Sequence, residues 1–196
     1  MSSETPVADA EVIYFDRDGD TRLLLDADQE PRIFVVSSKA MTLVCDSWNR
    51  MLSPNSHFKE ARQGDGREIF LPDDDSDGLE ILLNIAHLHF DRVPQELGFE
   101  DLLAVSVLTE KYGATRLVRP WVKRWLEGNK SLIDEPGHEE WLWVAWAFGE
   151  SEIFEKLSRR LALECSVNQV GKLVTPQDKV LDPESITDYF PPEIIA

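Results

Sequence analysis

Apolar residues come first in short clusters and then at helical intervals, and this change of rhythm organises the chain. Val12-Ile13-Tyr14-Phe15 is a brief β-favouring run closed by the turn-rich Asp16-Arg17-Asp18-Gly19-Asp20. Leu23-Leu24-Leu25 and Ile33-Phe34-Val35-Val36 follow, parted by polar residues that include Pro31, and this pattern predicts a hairpin. From Ser38 the rhythm changes. Met41, Val44, Cys45, Trp48 and Leu52 recur every three or four residues, the spacing of two short consecutive helices that Ser53-Pro54 stops. Gly64-Asp65-Gly66 breaks the chain, and Ile69-Phe70-Leu71 predicts a further strand ended by Pro72.

The remaining elements are predicted as helices. Leu79, Leu82, Leu83, Ala86 and Phe90 form one apolar stripe, with Asp75 to Asp77 near its positive N-terminal end. Leu102, Val105, Leu108 and Tyr112 form a second, closed by Gly113 where helices often turn left-handed. Leu117, Trp121 and Trp125 form a third, with Pro120 expected in its first turn. Beyond Gly128 the pattern is wholly helical: Trp141 to Phe148 is almost continuously apolar, and Ile153, Leu157 and Leu161 continue towards Cys165. These helices need a partner surface, and the preceding domain is the nearest one. Strands, helices, a strand and helices in that order predict an α+β fold, with an acidic tail over residues 1–10, a domain over 11–127, a helical extension over 128–170 and an acidic, Pro-containing tail over 171–196.

Charge narrows the partners. Among 196 residues, 20 Lys and Arg face 37 Asp and Glu, a net charge of −17. Such a surface repels phosphate backbones and anionic lipid, so the expected partners are proteins, with no nucleic acid and no membrane. Cys45 and Cys165 lie far apart inside apolar patterns and read as reduced core thiols, suited to the cytoplasm or nucleus. Met1 to Ala10 carries Glu4 and Asp9 without a basic region, and no apolar run approaches the ~18 residues of a membrane span, so a soluble intracellular protein is expected.

Candidate chemistry is sparse. Asp73-Asp74-Asp75-Ser76-Asp77-Gly78 matches the first half of a calcium loop, but position twelve is Asn84 and position eight is Glu80, so an acidic helix start is the expected role. His87 and His89 would share a metal only on a strand; on a helix they point about 200° apart. Nucleophile elbows, phosphate loops, dinucleotide fingerprints and paired-cysteine zinc spacings are all missing from the sequence. Trp141, Trp143 and Trp146 read as packing residues, with an enzyme or small-ligand site in this Trp-rich half as the alternative. No catalytic residue, cofactor or metal is therefore assigned, and the expected protein is not an enzyme.

Phe34-Val35-Val36-Ser37-Ser38, Met41 and Cys45-Asp46-Ser47-Trp48-Asn49-Arg50-Met51-Leu52 together resemble the BTB/POZ pattern, a strand followed by two helices of which the second carries an aromatic and then Met-Leu. Glu68 to Asp75 resembles the family's third strand, and Glu110-Lys111-Tyr112-Gly113 its Lys-Tyr-Gly helix end. The resemblance runs from about Gly19 to Leu126, and the helices around Trp141 to Trp146 resemble the extension of small BTB proteins common in fungi. It implies a small β-sheet capped by a cluster of helices, a function in homo- or hetero-oligomerisation, and in some members the holding of a cullin scaffold for ubiquitin transfer. Phe58-Lys59-Glu60 resembles the cullin-contact motif, which implies partner contacts at Phe58 and Glu60. Ser37 departs from the histidine found in many animal members, and no role of that histidine carries over. Self-association is expected of Val12, Ile13, Tyr14 and Phe15, as a strand added to a neighbour's sheet edge.

Overall fold

The computed structural model describes residues 10–25, 30–53, 66–181 and 189–192. The protein is mixed α+β and divides into two compact units, Met1–Pro94 with Leu108–Pro120, and Gln95–Val107 with Trp121–Ala196.

The first unit is organised by four strands, β1 (Glu11–Tyr14), β2 (Thr21–Leu25), β3 (Arg32–Val36) and β4 (Arg67–Phe70), in the order β1-β3-β2-β4. The predicted hairpin is present as the antiparallel pair β2 and β3, while β1 joins β3 and β4 joins β2 in parallel. One register row, Ile13, Phe34, Leu23 and Ile69, carries the inward side chains, three of which are fully or almost fully buried. The turn from β1 to β2 requires Gly19, because a Cβ there would come within 2.7 Å of the Val36 carbonyl oxygen.

Helices α1 (Ser38–Val44) and α2 (Asp46–Leu52) follow β3 as the apolar spacing predicts, and the Ser37 hydroxyl caps α1 by accepting from the Ala40 N–H. Met41, Trp48 and Leu52 are buried, as are Leu79, Leu82 and Leu83 on α3 (Ser76–Ala86). The stripe ends earlier than expected. Helix α3 stops at Ala86, and Phe90 lies half-exposed in a separate 3-10 turn, Phe90–Arg92.

Helix α4 (Phe99–Tyr112) buries Leu102, Val105, Leu108 and Tyr112, and closes at Gly113 with φ +64° as its sequence predicts. Helix α5 (Thr115–Asn129) begins earlier than its stripe suggests, so Pro120 is its sixth residue and lies beyond the first turn. Its missing N–H forfeits one interior bond, a cost borne by a helix that buries Val118, Trp125 and Leu126.

In the second unit α6 (Trp141–Phe148) ends at Gly149 with φ +76°, and α7 (Ser151–Glu164) buries Leu157. The segment beyond departs from the expected helix and tail: β5 (Ser166–Val167), β6 (Leu173–Val174) and β7 (Val180–Leu181) form a small antiparallel sheet. Two-residue strands are too short to show alternation, and their turns are set by Gly171 and Asp178, both at positive φ. No described helix is long and apolar enough to cross a membrane.

Candidate functional site

The surface that stands out lies on the outward face of the four-stranded sheet. Val12, Ile33, Leu24 and Phe70 occupy one register row across all four strands. Side chains alternate along a strand, so this row points opposite to the buried Ile13 row. Leu24 and the neighbouring Val35 are covered, but Phe70 is 69% exposed, Tyr14 50% and Val12 39%. Exposed large apolar groups grouped on one face mark interaction sites more often than the same residues scattered singly. Arg22 and Glu68 share the row of Tyr14 and supply a polar margin.

The β1 edge adds a backbone feature. The Glu11 and Phe15 N–H groups donate to the Pro31 and Val35 carbonyls at 3.0 and 2.9 Å. Val12 and Tyr14 alternate with them and turn their backbone groups away from β3, on the side where β1 ends the sheet among the described residues. Of the four residues expected to self-associate, Val12 and Tyr14 face solvent, Ile13 is half-buried on the inward face, and Phe15 is a core residue, packed edge-on against Phe34 at 5.3 Å between ring centroids. Phe58 and Glu60 lie outside the described residues.

The acidic run after β4 has structural work at three of its positions. Asp75 caps α3 by accepting from the Gly78 N–H at 2.7 Å, and Asp77 pairs with Arg32 at 2.5 Å. Asp74 is fully buried, accepts from the Tyr112 hydroxyl, and pairs with Lys111 Nζ at 2.5 Å. Burial, and then the Asp74 charge, hold the Tyr112 phenol well above its ordinary pKa. The Lys-Tyr pair that ends α4 is thus the clamp for the loop between β4 and α3. Sequence spacing did not reveal it, because its partners stand 37 and 38 positions apart. No group of three or more His, Cys, Asp or Glu among the described residues is placed to hold a metal ion.

His87 and His89 fall just beyond α3. His87 Nδ1 donates to the Leu83 carbonyl at 2.9 Å and its Nε2 accepts from the Ser37 N–H at 3.0 Å, so the ring joins the end of α3 to the start of α1. Burial holds its pKa below the ordinary histidine value, and the Leu83 bond only partly opposes this. Between the two histidines Leu88 adopts φ +64°, and its N–H donates to the Ile85 carbonyl while that of His89 reaches the Asn84 carbonyl. This is a Schellman ending with leucine where glycine is usual, and the leucine is 72% exposed.

In the second unit Trp141 is wholly buried and stacks on Phe99 at 5.7 Å, whereas Trp143 and Trp146 are half-buried and meet at 5.1 Å. A cleft lined by His138, Leu157, Arg160, Cys165 and Thr175 has a volume of about 30 Å³, room for a water or two rather than a substrate. A wider hollow of about 560 Å³ lies between the start of α4 and the loop before α6, with Glu100, Asp101, His138 and Glu140 on its wall. Lys179 grips Glu140 at 2.7 Å and Glu139 at 3.3 Å; burial alone would lower its amine, but the two carboxylates outweigh it and raise the pKa. Burial pushes both cysteine thiols up, the reverse of an activated nucleophile. No protein-family model matches the chain, and no curated protein matches it significantly.

Proposed function

We propose that this chain is a BTB/POZ-type protein-interaction module that associates through β1 and the adjoining outward face of its sheet. The observation that carries the reading is the outward apolar row that runs from exposed Val12 on β1 to exposed Phe70 on β4, with exposed Tyr14 beside Val12 on a strand that ends the sheet among the described residues. Its support also includes the order of elements, a strand pair, two short helices, a strand and a helix, which agrees with the residues that resemble the family.

Two copies meeting edge to edge would pair β1 with β1 and place Val12 and Tyr14 of both on one extended face, a two-fold contact of like surface with like surface. Amide exchange tests this directly. Between ~1 and ~100 µM, a range that brackets a micromolar dissociation constant, exchange at the Val12 and Tyr14 N–H groups should slow. Unchanged exchange over that range would refute the edge contact. The second part of the proposal, a cullin-scaffold contact through Phe58 and Glu60, rests on the resemblance at those residues. Affinity capture should recover a cullin with the wild type and lose it with Phe58→Ala, a hot-spot truncation costing about 2 kcal/mol or more, with the melting temperature unchanged. A wild type that recovers no cullin leaves only the association module.

A further inference from the structure

Helix α6 offers a second aromatic surface, and a piece of the chain's own sequence sits on it. The Tyr189 ring packs against Trp143 at 5.9 Å between centroids with the planes tilted by 53°, and Trp143 in turn meets Trp146. Two residues after Tyr189, Pro191 is buried while Pro192 stays exposed. The seated segment reads Tyr189-Phe190-Pro191-Pro192. Consecutive prolines fix their own φ and hold the preceding residue extended, so little conformational entropy is lost when such a segment docks. Aromatic-lined grooves use that property to bind Pro-rich peptides. The fit is incomplete at one atom. The Trp143 indole N–H is buried and meets no acceptor among the described residues, although a buried indole ordinarily donates to a carbonyl.

We propose that the Trp143–Trp146 face of α6 is a recognition surface for extended peptides that carry an aromatic residue followed by paired prolines, occupied in cis by the chain's own Tyr189–Pro192. A competing peptide that brings a carbonyl to the Trp143 N–H gains a bond that the described Tyr189–Pro192 leaves unmade. The tether sets the threshold for exchange. A linked segment acts at an effective concentration of about 1 mM, so a peptide with an intrinsic dissociation constant of about 100 µM is weakened roughly tenfold by it.

The test uses the full chain and a fluorescein-labelled synthetic peptide, Thr-Asp-Tyr-Phe-Pro-Pro-Glu, identical to residues 187–193. Fluorescence anisotropy should show the double variant Tyr189→Ala/Pro191→Ala binding this peptide about tenfold more tightly than the wild type. A peptide with alanine in place of the tyrosine and both prolines should not bind, and Trp143→Ala added to the double variant should weaken binding by removing the ring on which Tyr189 packs. Should the double variant fail to fold by circular dichroism, Tyr189→Ala alone is read in the same way. Equal affinity of wild type and variant would overturn the proposal, and so would absence of binding to either up to ~1 mM.

Discussion

Two surfaces of this chain present aromatic side chains on opposite terms. On the sheet, Phe70 on β4 and Tyr14 on β1 stand uncovered on one face, and β1 ends the sheet among the described residues. On α6, Trp143 is packed beneath Tyr189 of the same chain. The difference lies in what each surface must do before a partner can arrive. The sheet face is ready, and its affinity depends only on what it buries. The α6 face must first release a tethered competitor, so it answers only a ligand strong or concentrated enough to displace it.

The comparison breaks most visibly through truncation. Trp141→Ala removes a wholly buried ring in the second unit and should cost about 3–5 kcal/mol, seen as a large fall in melting temperature. Phe70→Ala removes a ring of similar class from the open face and should move stability by no more than about 0.5 kcal/mol while weakening association. A large thermal loss from Phe70→Ala would show the open face to be core.

Next in size is the Asp74 clamp. Tyr112→Phe deprives a fully buried carboxylate of a donor and should cost about 1–3 kcal/mol in denaturant titration, although the hydroxyl adds nothing to the apolar packing. A neutral effect would mean that Lys111 alone satisfies Asp74.

A smaller and pH-dependent effect belongs to His87. Its pKa is lowered by folding from 6.5, so the folded chain binds fewer protons at this site than the unfolded chain. Its stabilisation is present above the unfolded value and is lost as pH falls through 6.5 towards the depressed folded value. Protonation places a hydrogen on Nε2, which must accept from the Ser37 N–H, with Asp16 and His89 as the charged or titratable neighbours. Between about pH 7 and about pH 5, the wild type should lose more stability than His87→Gln, whose amide oxygen remains an acceptor. Parallel curves would remove His87 from the account.

The smallest expected change is a gain. Leu88→Gly relieves a left-handed backbone that costs a leucine about 1–2 kcal/mol, offset in part by the greater unfolded freedom of glycine, so stability should rise by about 0.5 kcal/mol. A fall would show that the exposed Leu88 side chain packs after all.

Legibility in the sequence followed the length and regularity of each element. The stripe Leu102, Val105, Leu108 and Tyr112 with its glycine stop specifies α4 and where it ends, because four buried positions at helical spacing admit no strand. The pairs Leu173-Val174 and Val180-Leu181 carry no period, and their sheet emerges only once the turns at Gly171 and Asp178 bring them together. The outward row was half legible. Val12 and Tyr14 stood out as an extra β-favouring run, whereas Phe70 sits in Ile69-Phe70-Leu71, where neighbouring apolar residues hide which one faces out. That assignment needs the register with Leu24. The Asp74 clamp and the seating of Tyr189 on Trp143 depend on contacts distant in sequence, which no local pattern encodes.

Sedimentation equilibrium of the wild type and of Val12→Lys/Tyr14→Lys at about 50 µM separates an associating β1 edge from an inert one, since paired lysines on an edge strand oppose strand-to-strand association. Association through β1 requires a wild-type dimer and a monomeric variant of nearly equal melting temperature; a monomeric wild type, or a variant that remains dimeric, would rule it out.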